Sequence, residues 1–411
     1  MNKAKNQAGS AHAFLAIAIV VAIAGGVGFV GFNAWQNQSS NAGNESTVGR
    51  ATTDNKLLVQ TSSNEGELQL IGVRSNGSVS TKKTIAKTKS NKNEILFNSK
   101  YSPDKTSIAW MQFKNDSTKI VISNNNGKVF RSIKLPKTLQ SQNSFHWTGD
   151  SKTIVFSASK RVGSKINNQV MSVNIAGSPK FRVLYSQPID FYKNKVAYTT
   201  LGSKLAVIKI GKELYRTNVS NNKKMKLIST SVCRNARDIE NVPTSNEISY
   251  VCDSGNRKSS TLYKMDVNGK KTKVYTYSTT SESMTRYTPA TRIIDYSWDV
   301  TGKKLAVQTI SSKESKKNCY GNKYYSYSAE NKVVIIENDS VSEIYSSGNL
   351  KPVCTGARGA SIDDVRSISW NPSSTNIAFV KYTGASTTLH VLNVASKKIA
   401  NVANGFTQIS W

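Results

Sequence analysis

The chain has 411 residues, a formal net charge of +31 and three histidines. That length holds roughly two or three ordinary domains. The shortage of imidazole weighs against an enzyme, since His12 sits near the N-terminus and leaves His146 and His390. The positive charge is spread through Lys82–Lys92, Lys134–Lys137, Lys160–Lys165, Lys223–Lys226 and Lys313–Lys317. Such dispersal is that of a solvated surface, with attraction to anionic polymers as its functional counterpart. No motif for sequence-specific nucleic-acid binding accompanies it.

In chain order, residues 1–12 form a short polar segment with Lys3 and Lys5. Residues 13–35 follow as an apolar run without a charge, and no Lys or Arg appears again before Arg50. At about 1.5 Å per residue this run spans a hydrocarbon core of about 30 Å. The charge asymmetry predicts a cytoplasmic N-terminus and a single-pass anchor with everything beyond it outside the cytoplasm. A cleaved signal peptide, ending near Ala22-Ile23-Ala24, is the competing reading. Residues 36–54, rich in Ser, Asn, Gly and Thr, read as a flexible tether.

From residue 55 to 411 a phrase recurs: an aromatic, a tight polar turn, then an apolar strand. It appears as Trp370–Phe379, Trp298–Val307, Trp147–Phe156 and Tyr101–Trp110, with weaker echoes at Phe191–Tyr198 and Asn241–Tyr250. A strand-rich unit repeating about every 40–50 residues predicts an all-β, seven-bladed β-propeller behind the membrane helix. The first unit has strands only at Leu57–Gln60, at Glu67–Val73 and after Asn76-Gly77. Fuller units open near Ile95, Phe145, Ile189, Asp238, Ile293 and Val365. The chain ends in Gly405–Trp411, whose Ile409-Ser410-Trp411 repeats Ile368-Ser369-Trp370. Pairing this orphan strand with the incomplete first unit closes the ring and removes its open edges.

The phrases resemble the TolB-type, WD40-like propeller repeat, an aromatic followed by Ser-Pro-Asp-Gly-x-x-Ile-Ala-Phe. Tyr101-Ser102-Pro103-Asp104 and Ile108-Ala109-Trp110 carry the likeness, and Thr261–Gly269 looks like the family's third strand and turn. Lys105 stands where that pattern has Gly, and Asn371-Pro372-Ser373-Ser374 lacks its Asp. The resemblance implies the fold, and by analogy a subunit of an envelope complex; a shared function does not follow from shared fold.

Cys233, Cys252, Cys319 and Cys354 fall in the part placed outside the membrane, where disulfides form. Three connectivities are open. Blade geometry favours Cys233–Cys252 and Cys319–Cys354, because each pair meets on one rim. No Cys/His spacing suggests zinc, and no metal or cofactor is expected.

Two sets of residues are candidates for binding. An insertion, Ser311–Asn331, carries Tyr320, Lys323, Tyr324, Tyr325 and Tyr327; the segment facing it carries Arg358, Asp363 and Asp364. Tyrosines beside cations are what recognition loops use. Asp190, Asp238 and Asp295 lie near the starts of innermost strands, where carboxylates either hold a cation or accept backbone hydrogen bonds between blades. There is no Gly-x-Ser-x-Gly elbow and no His-Glu-x-x-His, so no catalytic residue is assigned. The expectation is a membrane-anchored, non-enzymatic binding or scaffold module for a protein or an anionic polymer of the cell envelope. The alternative is a lyase or glycosidase with its site at the channel mouth.

Overall fold

A computed structural model describes residues 55–411 apart from 62–65, 75, 89–93, 116, 138, 163–164, 189–195, 221–224, 231, 234–235, 255–258, 279–291, 317–324, 348–352, 355–367, 383–386 and 405. Among the described residues twenty-nine strands follow one another, mostly in antiparallel meanders. The first three are β1 (Asn55–Thr61), β2 (Glu67–Val73) and β3 (Val79–Lys87). The second blade is β4 (Glu94–Tyr101), β5 (Ser107–Lys114), β6 (Ser117–Asn124) and β7 (Val129–Lys134). The third is β8 (Leu139–Trp147), β9 (Thr153–Val162), β10 (Lys165–Asn174) and β11 (Phe181–Pro188). The fourth is β12 (Val196–Leu201), β13 (Leu205–Ile210), β14 (Glu213–Asn218) and β15 (Lys226–Ser229). The fifth is β16 (Arg237–Asn241), β17 (Glu247–Asp253), β18 (Ser259–Asp266) and β19 (Lys271–Ser278). The sixth is β20 (Arg292–Trp298), β21 (Lys304–Lys316), β22 (Tyr325–Glu337) and β23 (Ser340–Ser346), with β24 (Val353–Cys354) beside β22. The seventh is β25 (Ile368–Trp370), β26 (Asn376–Tyr382), β27 (Thr387–Asn393) and β28 (Ile399–Asn404). The last strand, β29 (Phe406–Ser410), returns to pair with β1, so the first sheet runs β29-β1-β2-β3.

Seven apolar clusters, one between each pair of neighbouring blades, hold the ring together in place of a single central core. This arrangement explains the sequence of each blade's second strand. Such a strand is covered on both faces, so alternation gives way to a continuous apolar run. In β5, Ile108-Ala109-Trp110-Met111 are all buried, as are Ile154-Val155-Phe156 in β9 and Ile377-Ala378-Phe379-Val380 in β26. The outermost strands are covered far less, and β3 reads as four consecutive exposed residues from Thr81 to Thr84.

The recurring aromatics join blade to blade. Trp147 donates its indole N–H to the carbonyl of Lys100 at 3.4 Å, and Trp370 donates to the carbonyl of Ser297 at 3.0 Å. Trp298 reaches the Ser249 hydroxyl at 2.9 Å. The turn after each aromatic is closed by a short polar side chain: Ser102 Oγ donates to Asp104 Oδ1 at 2.6 Å, and Asp104 Oδ1 accepts the Thr106 amide at 3.1 Å. Such Asx-type bonding is what Asp and Ser supply in turns. Lys105, where the family pattern has Gly, holds φ of 59°, and Gly302 takes the same place in the sixth blade at 69°.

Closure follows the expected pairing. Leu58 faces Ser410 and Val59 faces Ile409, and Trp411 is buried among Val59, Val73, Val391 and Val402. The Trp411 amide donates to Ser369 Oγ at 3.0 Å, and the Lys105 ammonium donates to the Trp411 carbonyl. Lys105 thus latches the closing strand from the neighbouring blade.

Two readings change in detail. The Ser311–Asn331 insertion is in part an extended hairpin rather than a loop: β21 and β22 stay paired from Ile310↔Asn331 out to Lys316↔Tyr325. β24 then adds to it through Ser326↔Cys354 and Tyr327↔Val353. The sequence alternation Tyr325-Ser326-Tyr327-Ser328 is one that a strand accommodates. The third blade opens earlier than Phe145, at Leu139, because its first strand carries a bulge between Gln142 and Phe145 that keeps the earlier residues in register. Residues 1–54, including the expected anchor and tether, lie outside the described residues. Among the described residues no helix is long and apolar enough to cross a membrane.

Candidate functional site

The innermost strands place one equivalent residue each, just before the aromatic position, at the axis. Register defines the set: Lys100 pairs with Ala109, His146 with Val155, Thr200 with Ala206 and Glu240 with Ser249. Ser297 pairs with Ala306, Ser369 with Ala378, and Ser410 with Leu58. Hydroxyls at these positions bond to backbone: Thr200 donates to the Trp147 carbonyl, and Ser369 accepts the Trp411 amide. That leaves Lys100, His146 and Glu240 as the titratable members. All three are half-buried, and among the described residues none of their side chains lies within hydrogen-bond or ion-pair distance of a partner.

Their charges nonetheless act on one another across the ring. Burial lowers the Lys100 pKa, while the carboxylates of Glu240 and Asp295 oppose that shift. Burial pushes the Glu240 carboxyl up to about 8, helped by Asp295 and Asp238 and opposed by Lys100. Burial, and then the Lys100 charge, hold the His146 imidazole well below its usual value, so it is neutral at physiological pH. Its ring meets the edge of Tyr198 at 5.5 Å. An acid that keeps its proton near neutrality, an amine and a neutral imidazole around one channel are groups that can bind a polar molecule or exchange protons with it.

Below this layer the carboxylates are engaged. Asp238, at φ of 51° in the bulge that opens β16, pairs with Arg237. Arg237 also grips Asp253 in a two-pronged bond at 2.8 and 3.1 Å and donates to the carbonyls of Ile293 and Ile294 in the next blade. Burial alone lowers the Arg237 pKa, but the Asp253 bond and the two carboxylate charges more than offset it. Asp295 accepts the Tyr296 amide at 2.9 Å and, from the following blade, the Ile368 amide at 3.2 Å. Tyr296 donates its hydroxyl to the Asp238 carbonyl. Asp238 and Asp295 therefore sit together near the axis and brace neighbouring blades, while Asp190 lies outside the described residues.

The rim candidates Tyr320, Lys323, Tyr324, Arg358, Asp363 and Asp364 lie outside the described residues, and of Tyr325 and Tyr327 only the strand pairing is described. Cys233 and Cys252 form a disulfide with Cα atoms 6.0 Å apart, fastening the segment before β16 to β17. Cys319 is outside the described residues, and with it the Cys319–Cys354 pairing. Among the described residues no group of three or more His, Cys, Asp or Glu side chains is placed to hold a metal ion.

A second concave feature lies on the outside. A groove of about 390 Å³ opens between the third and fourth blades, lined by Ser172, Lys180, Arg182 and Ser220 among others. It belongs to a cationic perimeter. The outermost strands carry Lys82, Lys83 and Lys87 on β3, Arg131 and Lys134 on β7, and Arg182 on β11. Lys226 on β15 and Lys271 and Lys273 on β19 extend the series, against Glu343 on β23 as the sole acid of these strands.

Sequence reasoning missed Lys100 and Glu240. The signal was available: each directly precedes the residue at the aromatic position, as His146 precedes Trp147. Aligning the repeats would have put the three in one column.

Closed ring, inter-blade clusters and a polar axis define a seven-bladed β-propeller. Comparisons with solved structures agree on that fold. The chain is similar to an oligogalacturonate lyase in complex with manganese, at 11% identity, 81% coverage of this chain, 84% of that one and a TM-score of 0.52. It is similar to a prolyl endopeptidase at 13% identity and a TM-score of 0.51, covering 88% of this chain and 49% of that chain, so it spans about half of that enzyme's length. TolB from Acinetobacter baumannii shares 14% identity over 88% of this chain and 67% of its own, with a TM-score of 0.43. No protein-family model and no curated protein matches the sequence.

Proposed function

We propose that this chain is a membrane-anchored, extracytoplasmic propeller that works as a non-enzymatic binding module, its cationic perimeter gathering an anionic polymer of the cell envelope. The observation that carries the reading is the charge of the outermost strands, nine Lys and Arg residues named above against Glu343 alone. Glu343 is itself paired to Lys332 at 3.1 Å. The outermost strands of five consecutive blades, β3, β7, β11, β15 and β19, carry positive charge alone and offer a polyanion one continuous attractive arc, while β23 bears only Glu343 and β28 no charge. The Cys233–Cys252 disulfide is in keeping with an oxidising compartment, and the charge-free run 13–35 with a tether to the membrane.

The test is binding of the full-length protein, in detergent, to immobilised polygalacturonate, polyglutamate and DNA, with a neutral dextran as control. The expected result is binding to each polyanion that weakens steeply as salt is raised, because every contact releases condensed counterions. Absence of binding at low salt would overturn the reading and favour a protein partner at the rim. Release of shortened polymer during the incubation would replace it with the lyase or glycosidase alternative.

A further inference from the structure

The axis and the perimeter are chemically different surfaces, and a second ligand class follows from the axis. Lys100 comes from the second blade and His146 from the third; Glu240 comes from the fifth and Asp295 from the sixth. In a ring of seven these pairs stand as nearly opposite as the number of blades allows. The channel therefore has a basic side and an acidic side. The other equivalent positions are Thr200, Ser297, Ser369 and Ser410, all small, so among the described residues none of these four puts a bulky side chain between the two sides.

Opposite charges placed this way ordinarily close into an ion pair. Here they do not: among the described residues no carboxylate lies within 4.0 Å of the Lys100 ammonium, although Glu240 and Asp295 are close enough to act on it. On the Lys100 strand, Asn98 holds a buried amide nitrogen with no hydrogen-bond partner. A half-buried amine and a half-buried carboxyl, Lys100 and Glu240, left without partners are costly. What satisfies both sides at once is a molecule bearing a carboxylate and an ammonium on one short frame. Its carboxylate would meet Lys100 and the Asn98 amide, and its ammonium would meet Glu240 with Asp295 behind it. His146, neutral beside Lys100, adds an imidazole N–H for the carboxylate.

We propose that the channel binds a small zwitterion, a free amino acid or a close relative, between Lys100 and Glu240. The direction of both titration shifts agrees. Burial drives each group toward its uncharged form, and the opposite charge of a bound partner would restore each. Neither the perimeter lysines nor a polyanion takes part, so this site can succeed or fail independently of the polymer-binding reading.

The experiment is isothermal titration of the full-length protein in detergent with glycine, β-alanine and 4-aminobutyrate, which differ in charge separation. Acetate and methylammonium serve as the two halves. At least one zwitterion is expected to saturate a single site and bind tenfold or more tighter than either half, a difference of about 1.4 kcal/mol. Lys100→Met and Glu240→Gln should each weaken it by at least tenfold, while Lys134→Met on the perimeter leaves it unchanged. The comparison with acetate and methylammonium needs no variant, so a variant that fails to fold does not spoil the test. Equal binding of acetate and the best zwitterion, undiminished binding by Glu240→Gln, or no saturable binding of any zwitterion would overturn the proposal.

Discussion

The innermost and outermost strands of this ring are both sheet edges, yet they handle charge in different ways. At the perimeter, lysines such as Lys82, Lys83, Lys271 and Lys273 stand exposed on strands nearly free of acids. Water and salt screen them, and each charge is almost independent of the next. At the axis a handful of groups, Lys100, His146, Glu240, Arg237, Asp238 and Asp295, share little solvent, and the protonation of Lys100, His146 and Glu240 is shifted by burial and by charges from other blades. The same residue type is a solvated edge guard in one place and part of a coupled network in the other. Position in the blade, rather than composition, decides which.

That contrast is broken most severely at closure, where axis and first blade are completed by one strand. Removing residues 405–411 strips β29 from β1 and exposes the inner face lined by Val59 and Val391. Burial of Ile409 and Trp411 contributes roughly 1.5–3 kcal/mol each, before the lost ladder is counted. The truncated protein should melt far below the full-length one or aggregate, as read by thermal unfolding with light scattering. Unchanged melting would show that the ring closes another way.

Next in size is the axis itself. Arg237→Met leaves Asp238 and Asp253 without their cation and frees the carbonyls of Ile293 and Ile294. Removing one partner of a buried pair costs about 3–5 kcal/mol. With 19% of its side chain exposed, Arg237 is expected near the lower end of that range in chemical denaturation. A loss no larger than that of a perimeter lysine would erase the contrast between the two regions.

A smaller and more specific effect lies in pH. Glu240 has its carboxyl raised from 4.5 to about 8 by burial first and then by Asp295. For a raised carboxyl the folded state holds a proton that the unfolded chain gives up. Its contribution is therefore complete below about 4.5 and is lost as pH climbs through about 8. Glu240→Gln removes that slope, so the variant should gain on the wild type across this window, measured as denaturation midpoints at a series of pH values. Parallel curves would mean that Glu240 is ionised throughout.

The least effect on stability belongs to the perimeter. Lys271→Ser with Lys273→Ser should move the melting point by what two surface substitutions do, each within about 0.5 kcal/mol. The same pair should lower both the affinity for polygalacturonate and its dependence on salt. Stability loss comparable to Arg237→Met would show the perimeter charges to be coupled after all.

The strands, their grouping into blades and the closing role of Ile409-Ser410-Trp411 were legible from the sequence alone, because their causes are local and repeated. A strand covered on both faces needs a continuous apolar run, a tight turn needs Asp, Ser, Asn or Gly, and both recur in every unit. The disulfide Cys233–Cys252 was legible for the same reason, once strand order put both residues on one rim. The hairpin character of Lys316 and Tyr325 was harder to see, since polar alternation with serine and tyrosine suits a loop and an exposed ribbon equally well. The axis was decided by tertiary structure. Lys100, His146 and Glu240 are far apart in the chain; they share one repeat position, but nothing local shows that residues at that position meet. Only the ring brings their side chains into one channel, and only there does the loss of solvent turn three ordinary residues into a coupled set.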